Sequence, residues 1–141
     1  MRAVILGQLS PSLVHLPFVA CRLPAGFPSP AADYEEQTLS IDELVDLRTP
    51  HVYLARVDGD SMTGAGVYDG DVLVINRALE PRSGDVVVAY VDGGMTVKRL
   101  QVTPAGVWLQ PESPGYRPIP VTESLHVWGV ATHNLHRLCS R

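Results

Sequence analysis

From His51 onward, apolar and polar residues alternate with a period of two, in short runs cut by turn residues. Successive side chains of an extended backbone face opposite ways, so each run reads as a strand. The predicted strands are His51–Val57, Val72–Asn76, Asp85–Val91, Met95–Val102, Val107–Gln110 and His126–His133. Turn chemistry separates them: Asp69-Gly70-Asp71, then Pro81, Ser83 and Gly84, then the hairpin signal Asp92-Gly93-Gly94, then Pro104-Ala105-Gly106. Pro111 to Pro120 has no period and is expected to be irregular. Ahead of the strands, Ser40-Ile41-Asp42-Glu43 reads as a capping box. Ile41, Leu44, Val45 and Leu47 follow at helical spacing, and Thr49-Pro50 stops the run. The pattern predicts a mostly β domain, barrel or sandwich-like, with one short helix.

The first third of the chain obeys neither period. Pro11, Pro17, Pro24, Pro28 and Pro30 exclude helix and bias their neighbours to extended backbone. Residues 1–33 are therefore expected to be an arm, loosely structured at first and then an extended ribbon from Leu23 to Pro30; residues 34–141 form the domain. At the centre of the ribbon stand Ala25 and Gly26, whose small side chains leave their peptide bond open to attack. Taken alone, the ribbon is equally a plain linker. Phe18-Val19-Ala20-Cys21 faintly resembles a lipoprotein processing site, but Gln8, Ser10, Pro11, Ser12, His15 and Pro17 interrupt the apolar run that a signal peptide requires. No stretch approaches the roughly eighteen apolar residues of a membrane span.

A net charge of −4, with no cluster of cations, makes direct nucleic-acid binding unexpected and points to protein partners. Cys21 and Cys139 are too few and too separated for a disulfide framework, and reduced thiols in a cytoplasmic protein are expected. His133, His136 and Cys139 would alternate faces along a strand, so no metal and no cofactor is expected. One compositional fact changes the picture. Of eleven basic residues ten are arginines, and Lys98 is the sole lysine. Lysine, unlike arginine, loses its proton when buried.

Lys98 lies within Met95-Thr96-Val97-Lys98-Arg99-Leu100, where alternation sets Thr96, Lys98 and Leu100 on one face. By itself it reads as an amine reaching out from an edge strand. Gly59-Asp60-Ser61-Met62 follows the first predicted strand, and a serine there sits on a tight turn with its hydroxyl presented. By itself that is an ordinary turn residue. Paired, the two support nucleophilic catalysis, with Ser61 as nucleophile, Lys98 as general base and the backbone N–H groups of Ser61 and Met62 holding an oxyanion. An ordinary lysine, with pKa about 10.4, is neutral in only about one molecule in 2500 at pH 7. Burial against apolar side chains penalises the charged form and supplies the needed shift. His126 and His133 fall on the last strand with opposite parity and read as packed or surface residues.

Gly59-Asp60-Ser61-Met62, Asp69-Gly70-Asp71, Ser83-Gly84-Asp85-Val86-Val87 and Thr96-Val97-Lys98-Arg99-Leu100 resemble, in order, the motifs of the LexA/UmuD self-cleaving serine–lysine proteases, the peptidase S24 type. Gly26-Phe27-Pro28-Ser29-Pro30-Ala31-Ala32-Asp33-Tyr34 resembles the segment that follows the cleavage site in the UmuD branch. The resemblance runs from about Ala25 to the end of the chain. It implies a LexA-like catalytic domain, Ser61 and Lys98 as dyad, and Ala25–Gly26 as the bond cut. It implies further a homodimer, stimulation by a RecA–single-stranded DNA filament, and a trimmed product serving an error-prone Y-family (UmuC-like) polymerase in lesion bypass. The residues before Ala25 are too few and too proline-broken for the DNA-binding helices of a repressor. Two other classes stay open: a type I signal peptidase, which shares the serine–lysine chemistry but needs a membrane anchor, and a non-catalytic interaction module.

Overall fold

The computed structural model describes residues 1–7, 16–19, 36–47, 50–121 and 126–141, with the backbone alone for 16–19 and 36–39. The ribbon from Leu23 to Pro30, with Ala25 and Gly26, lies outside these residues, as does Cys21. The chain forms two compact units, Met1–Leu9 with Thr49–Arg141, and Ser10–Arg48. The smaller holds an antiparallel pair, β2 (Leu16–Val19) with β3 (Glu36–Leu39), and a one-turn helix α1 (Ile41–Leu44). Ser40 caps the helix, its Oγ accepting from Glu43 N. The helix is shorter than its apolar spacing predicted. Asp46 takes φ 56, and the left-handed residue ends the run before Leu47. Its faces differ too: Val45 and Leu47 are buried as expected, whereas Ile41 and Leu44 are exposed and Asp42 is buried.

In the larger unit the strands are β1 (Arg2–Gly7), β4 (Val52–Asp58), β5 (Val72–Asn76), β6 (Val86–Val91), β7 (Gly94–Thr103), β8 (Gly106–Gln110), β9 (Ile119–Pro120) and β10 (His126–Leu135). All pairings are antiparallel, in the order β1-β4-β5-β10-β6-β7-β8-β9. A further pairing of β1 with β7, Arg2 opposite Thr96, closes the first six strands into a ring. The fold is thus mostly β, as the alternation predicted, with edges largely removed by closure. Asp92 (φ 48) and Gly93 (φ 80) turn β6 into β7, both left-handed as a two-residue hairpin loop requires. The strand that closes the ring was not announced by the proline-broken pattern, since residues 2–7 were expected only as loose arm, and neither were β2 and β3.

One apolar cluster fills the ring, including Ala55, Val57, Met62, Leu73, Ile75, Val88 and Val97. A second, with Val87, Ala89, Leu100, Leu109 and Val130, packs on the other face of β6 and β7. Alternation along β6 divides its residues between the two, Val88 to one side and Val87 and Ala89 to the other. The buried Asp71 ties the Tyr68–Asp71 turn to the end of β10. Its carboxylate accepts from Tyr68 N at 2.8 Å and Asn134 Nδ2 at 2.7 Å, and meets His136 Nδ1 at 2.6 Å. Burial alone would raise this carboxyl, but those bonds outweigh it and hold Asp71 below the usual range. Among the described residues no helix is long and apolar enough to cross a membrane. No group of three or more His, Cys, Asp or Glu comes together there as metal ligands.

Candidate active site

β4 ends at Asp58, and the chain turns through Gly59-Asp60-Ser61-Met62 into a 3-10 turn at Thr63–Ala65. Met62 is fully buried in the ring's core and anchors the turn from within. The turn is clamped from outside by three contacts. Gly59 N donates to Asp69 Oδ1 at 2.8 Å, Glu112 N donates to Ser61 O at 2.8 Å, and Gly64 N donates to Glu112 O at 2.7 Å. Tyr116 donates its hydroxyl to Asp60, which holds the phenol above its usual pKa. The segment from Pro111 to Pro120, expected to be merely irregular, is therefore the outer wall of the nucleophile turn. Lack of periodicity concealed that role, because the Glu112 bonds to the turn are made by backbone groups that carry no pattern.

Gly64 is where this clamp tolerates nothing larger. A Cβ there would lie 2.4 Å from the carbonyl oxygen of Glu112, and both partners are backbone. We expect Gly64→Ala to push the turn off its wall. Given how steeply reactivity falls with misplacement near 1 Å, self-cleavage should drop by roughly tenfold to a hundredfold. A single-turnover cleavage assay with a parallel thermal melt checks this; unchanged cleavage would show that the wall does not position Ser61.

Lys98 enters from β7. Its partner across the ladder is Val87, and the two neighbouring core clusters enclose its stem. Lys98 is 5% exposed and Ser61 0%. Nζ stands 3.1 Å from Ser61 Oγ, 3.1 Å from Thr96 Oγ1 and 3.0 Å from Val97 O. The structure thus brings together two residues 37 positions apart, and sets Thr96 beside Lys98 on the face that alternation predicted. Burial pushes the Lys98 ammonium below the usual lysine range, opposed by a weaker hydrogen bond with the chain's own amino terminus. Among the described residues no acidic side chain bonds Nζ, whose partners are Ser61 Oγ, Thr96 Oγ1 and Val97 O. His126 and His133 are exposed on β10, where His133 Nδ1 meets Thr132 Oγ1, and neither contacts Ser61.

The residue that sequence analysis missed here is Met1. Its amino group donates to Ser61 Oγ at 2.8 Å. Its carbonyl accepts from Val97 N at 3.1 Å and from Thr96 Oγ1 at 2.9 Å. Burial first, and then the neighbouring Lys98 charge, lower this amine from its ordinary 8.0 to about 6. No sequence signal foretold it, because a chain terminus has no motif and the pairing spans almost the whole domain.

Such an arrangement has the parts for acyl transfer: a buried hydroxyl and, 3.1 Å from it, a buried amine. Comparison with known proteins narrows the class. Residues 17–132 match the family described as Peptidase S24-like. Protein ImpA of Salmonella typhimurium is 44% identical over 123 residues, which cover 86% of this chain and 83% of that protein. Protein MucA of Escherichia coli is 40% identical over 146 aligned positions covering 100% of both chains. The LexA repressor of Bordetella petrii is 41% identical over 118 residues, 82% of this chain and 52% of that repressor. With a family match over most of its length and relatives of this identity aligned along it, the chain belongs to the S24 peptidases, as a UmuD-like SOS mutagenesis member of the self-cleaving LexA/UmuD family.

Proposed function

We propose that this chain cuts its own Ala25–Gly26 bond, with Ser61 as nucleophile and Lys98 as general base. The observation that carries the reading is the 3.1 Å approach of a buried lysine amine to a buried serine hydroxyl. Neutral Lys98 takes the Ser61 proton as Oγ attacks the Ala25 carbonyl carbon. The N–H groups of Ser61 and Met62 hold the resulting oxyanion. The Lys98 ammonium then gives its proton to the Gly26 nitrogen as the C–N bond breaks, leaving an ester on Ser61. Water, deprotonated by Lys98, attacks that ester and releases residues 1–25.

The family points to the wider role. A RecA–single-stranded DNA filament stimulates the cut, and residues 26–141 then serve as a dimeric accessory subunit of an error-prone Y-family polymerase in the cytoplasm. A filament accelerates the cut only by favouring the state with the bond docked, and only by its differential affinity for that state. Incubation with RecA, single-stranded DNA and a nucleotide, followed by mass measurement, should yield two fragments that separate after Ala25. Fragments parted at another bond would overturn the assignment of the substrate.

A further inference from the structure

We propose that the cleft beside Ser61 is a binding site for an extended peptide strand, and that the chain's own first strand fills it, so the uncut protein is held latent by β1. The inference rests on the reading of Ser61 and Lys98 as the active site. β1 lies in the ring between β4 and β7, the two strands that carry the nucleophile turn and the lysine. Its first residue is bound as a β-strand residue is bound, through the Met1 carbonyl to Val97 N and Thr96 Oγ1. On the strand's side these contacts use the Met1 carbonyl, a group that every extended segment offers. The Met1 amine stands 2.8 Å from Ser61 Oγ, where the amine released by a cut would stand.

Two segments cannot pair with the same edge of β7 at once. A scissile bond needs its carbonyl carbon against Ser61 Oγ and its flanking residues along β7, the positions Met1 and Arg2 hold. While β1 is seated, Ser61 Oγ accepts from the Met1 amine as well as from Lys98, so the Met1 amine occupies space beside the hydroxyl. Cleavage therefore waits on β1 leaving the slot, and its rate scales with the fraction of molecules in which the slot is empty. The seat is weak enough to open. Val4 and Leu6 of β1 are exposed, and the Arg2–Asp58 ion pair lies in solvent and contributes little.

Ala3→Glu tests this in the full-length chain. Ala3 is a buried β1 residue packed in the ring's core, outside the catalytic groups, and a carboxylate there expels the strand. If β1 fills the slot at least nine-tenths of the time, self-cleavage without a filament should rise about tenfold or more. A free peptide of residues 1–7 added in excess should slow the variant again. Equal rates for the variant and the unaltered chain, both abolished by Ser61→Ala, would overturn the latch and leave the dyad standing. Cleavage that survives Ser61→Ala would overturn the dyad instead. Should Ala3→Glu fail to fold, hydrogen exchange at the Val97 amide of the unaltered chain decides. Protection is expected, whereas exchange at the rate of an open amide would show that β1 is not seated.

Discussion

Ser61→Ala and Lys98→Met should each leave the chain intact under conditions that cut the parent, a loss of at least about 10⁴-fold in rate. The two effects should not add, because a serine without its base and a base without its serine fail at the same step. Lys98→Arg is the more telling change. It keeps a cation and its hydrogen bonds to Ser61 Oγ and Thr96 Oγ1 within reach, but arginine does not give up its proton. If Lys98 merely positioned Ser61, the arginine variant would retain much of its activity; as a base it must be as dead as the methionine variant. Single-turnover measurement by mass separates the two. An arginine variant within about tenfold of the parent would exclude Lys98 as the proton acceptor.

Raising the pH should accelerate self-cleavage steeply. Only the neutral amine of Lys98 accepts the Ser61 proton, and its neutral fraction grows about tenfold per pH unit below its pKa. The rate should climb about tenfold per pH unit until Lys98 is neutral and then level off. Burial moves that plateau to lower pH than an ordinary lysine would show. The Met1 amine, lowered to about 6, is already neutral in this range and does not set the slope. Stability should follow the same sign. The folded chain binds fewer protons at Lys98 than the unfolded chain does, so stability rises with pH between the lowered value and the ordinary 10.5. Below that window the full cost of holding a buried ammonium is present, and above it none remains. Lys98→Met should flatten this part of the stability profile. A parent rate that failed to fall as the pH was lowered through the Lys98 titration would rule out a neutral lysine as the base.

These expectations describe a site in which function and stability oppose each other. The features that would let Lys98 act as a base, its burial and, among the described residues, no carboxylate bonded to Nζ, are those that make its charged form costly in the fold. The surrounding clusters of valine, leucine and isoleucine offset that cost.

By itself, the sequence determined β4 to β8, β10 and the hairpin at Asp92-Gly93, because alternation and turn chemistry are local properties that neighbours cannot easily override; β9, inside the stretch expected to be irregular, it did not. It also singled out Lys98, since a composition that uses arginine ten times and lysine once marks the place where a removable proton matters. Helix α1 was legible in its cap but not in its length, because the left-handed turn at Asp46 depends on packing rather than on apolar spacing. The tertiary structure alone decided three things: that Ser61 and Lys98 meet, that Pro111 to Pro120 walls the nucleophile turn, and that β1 closes the ring with Met1 against Ser61. Each is a contact between backbone or side-chain groups far apart along the chain. Such contacts follow from strand order and ring closure, which periodicity within a single segment does not encode.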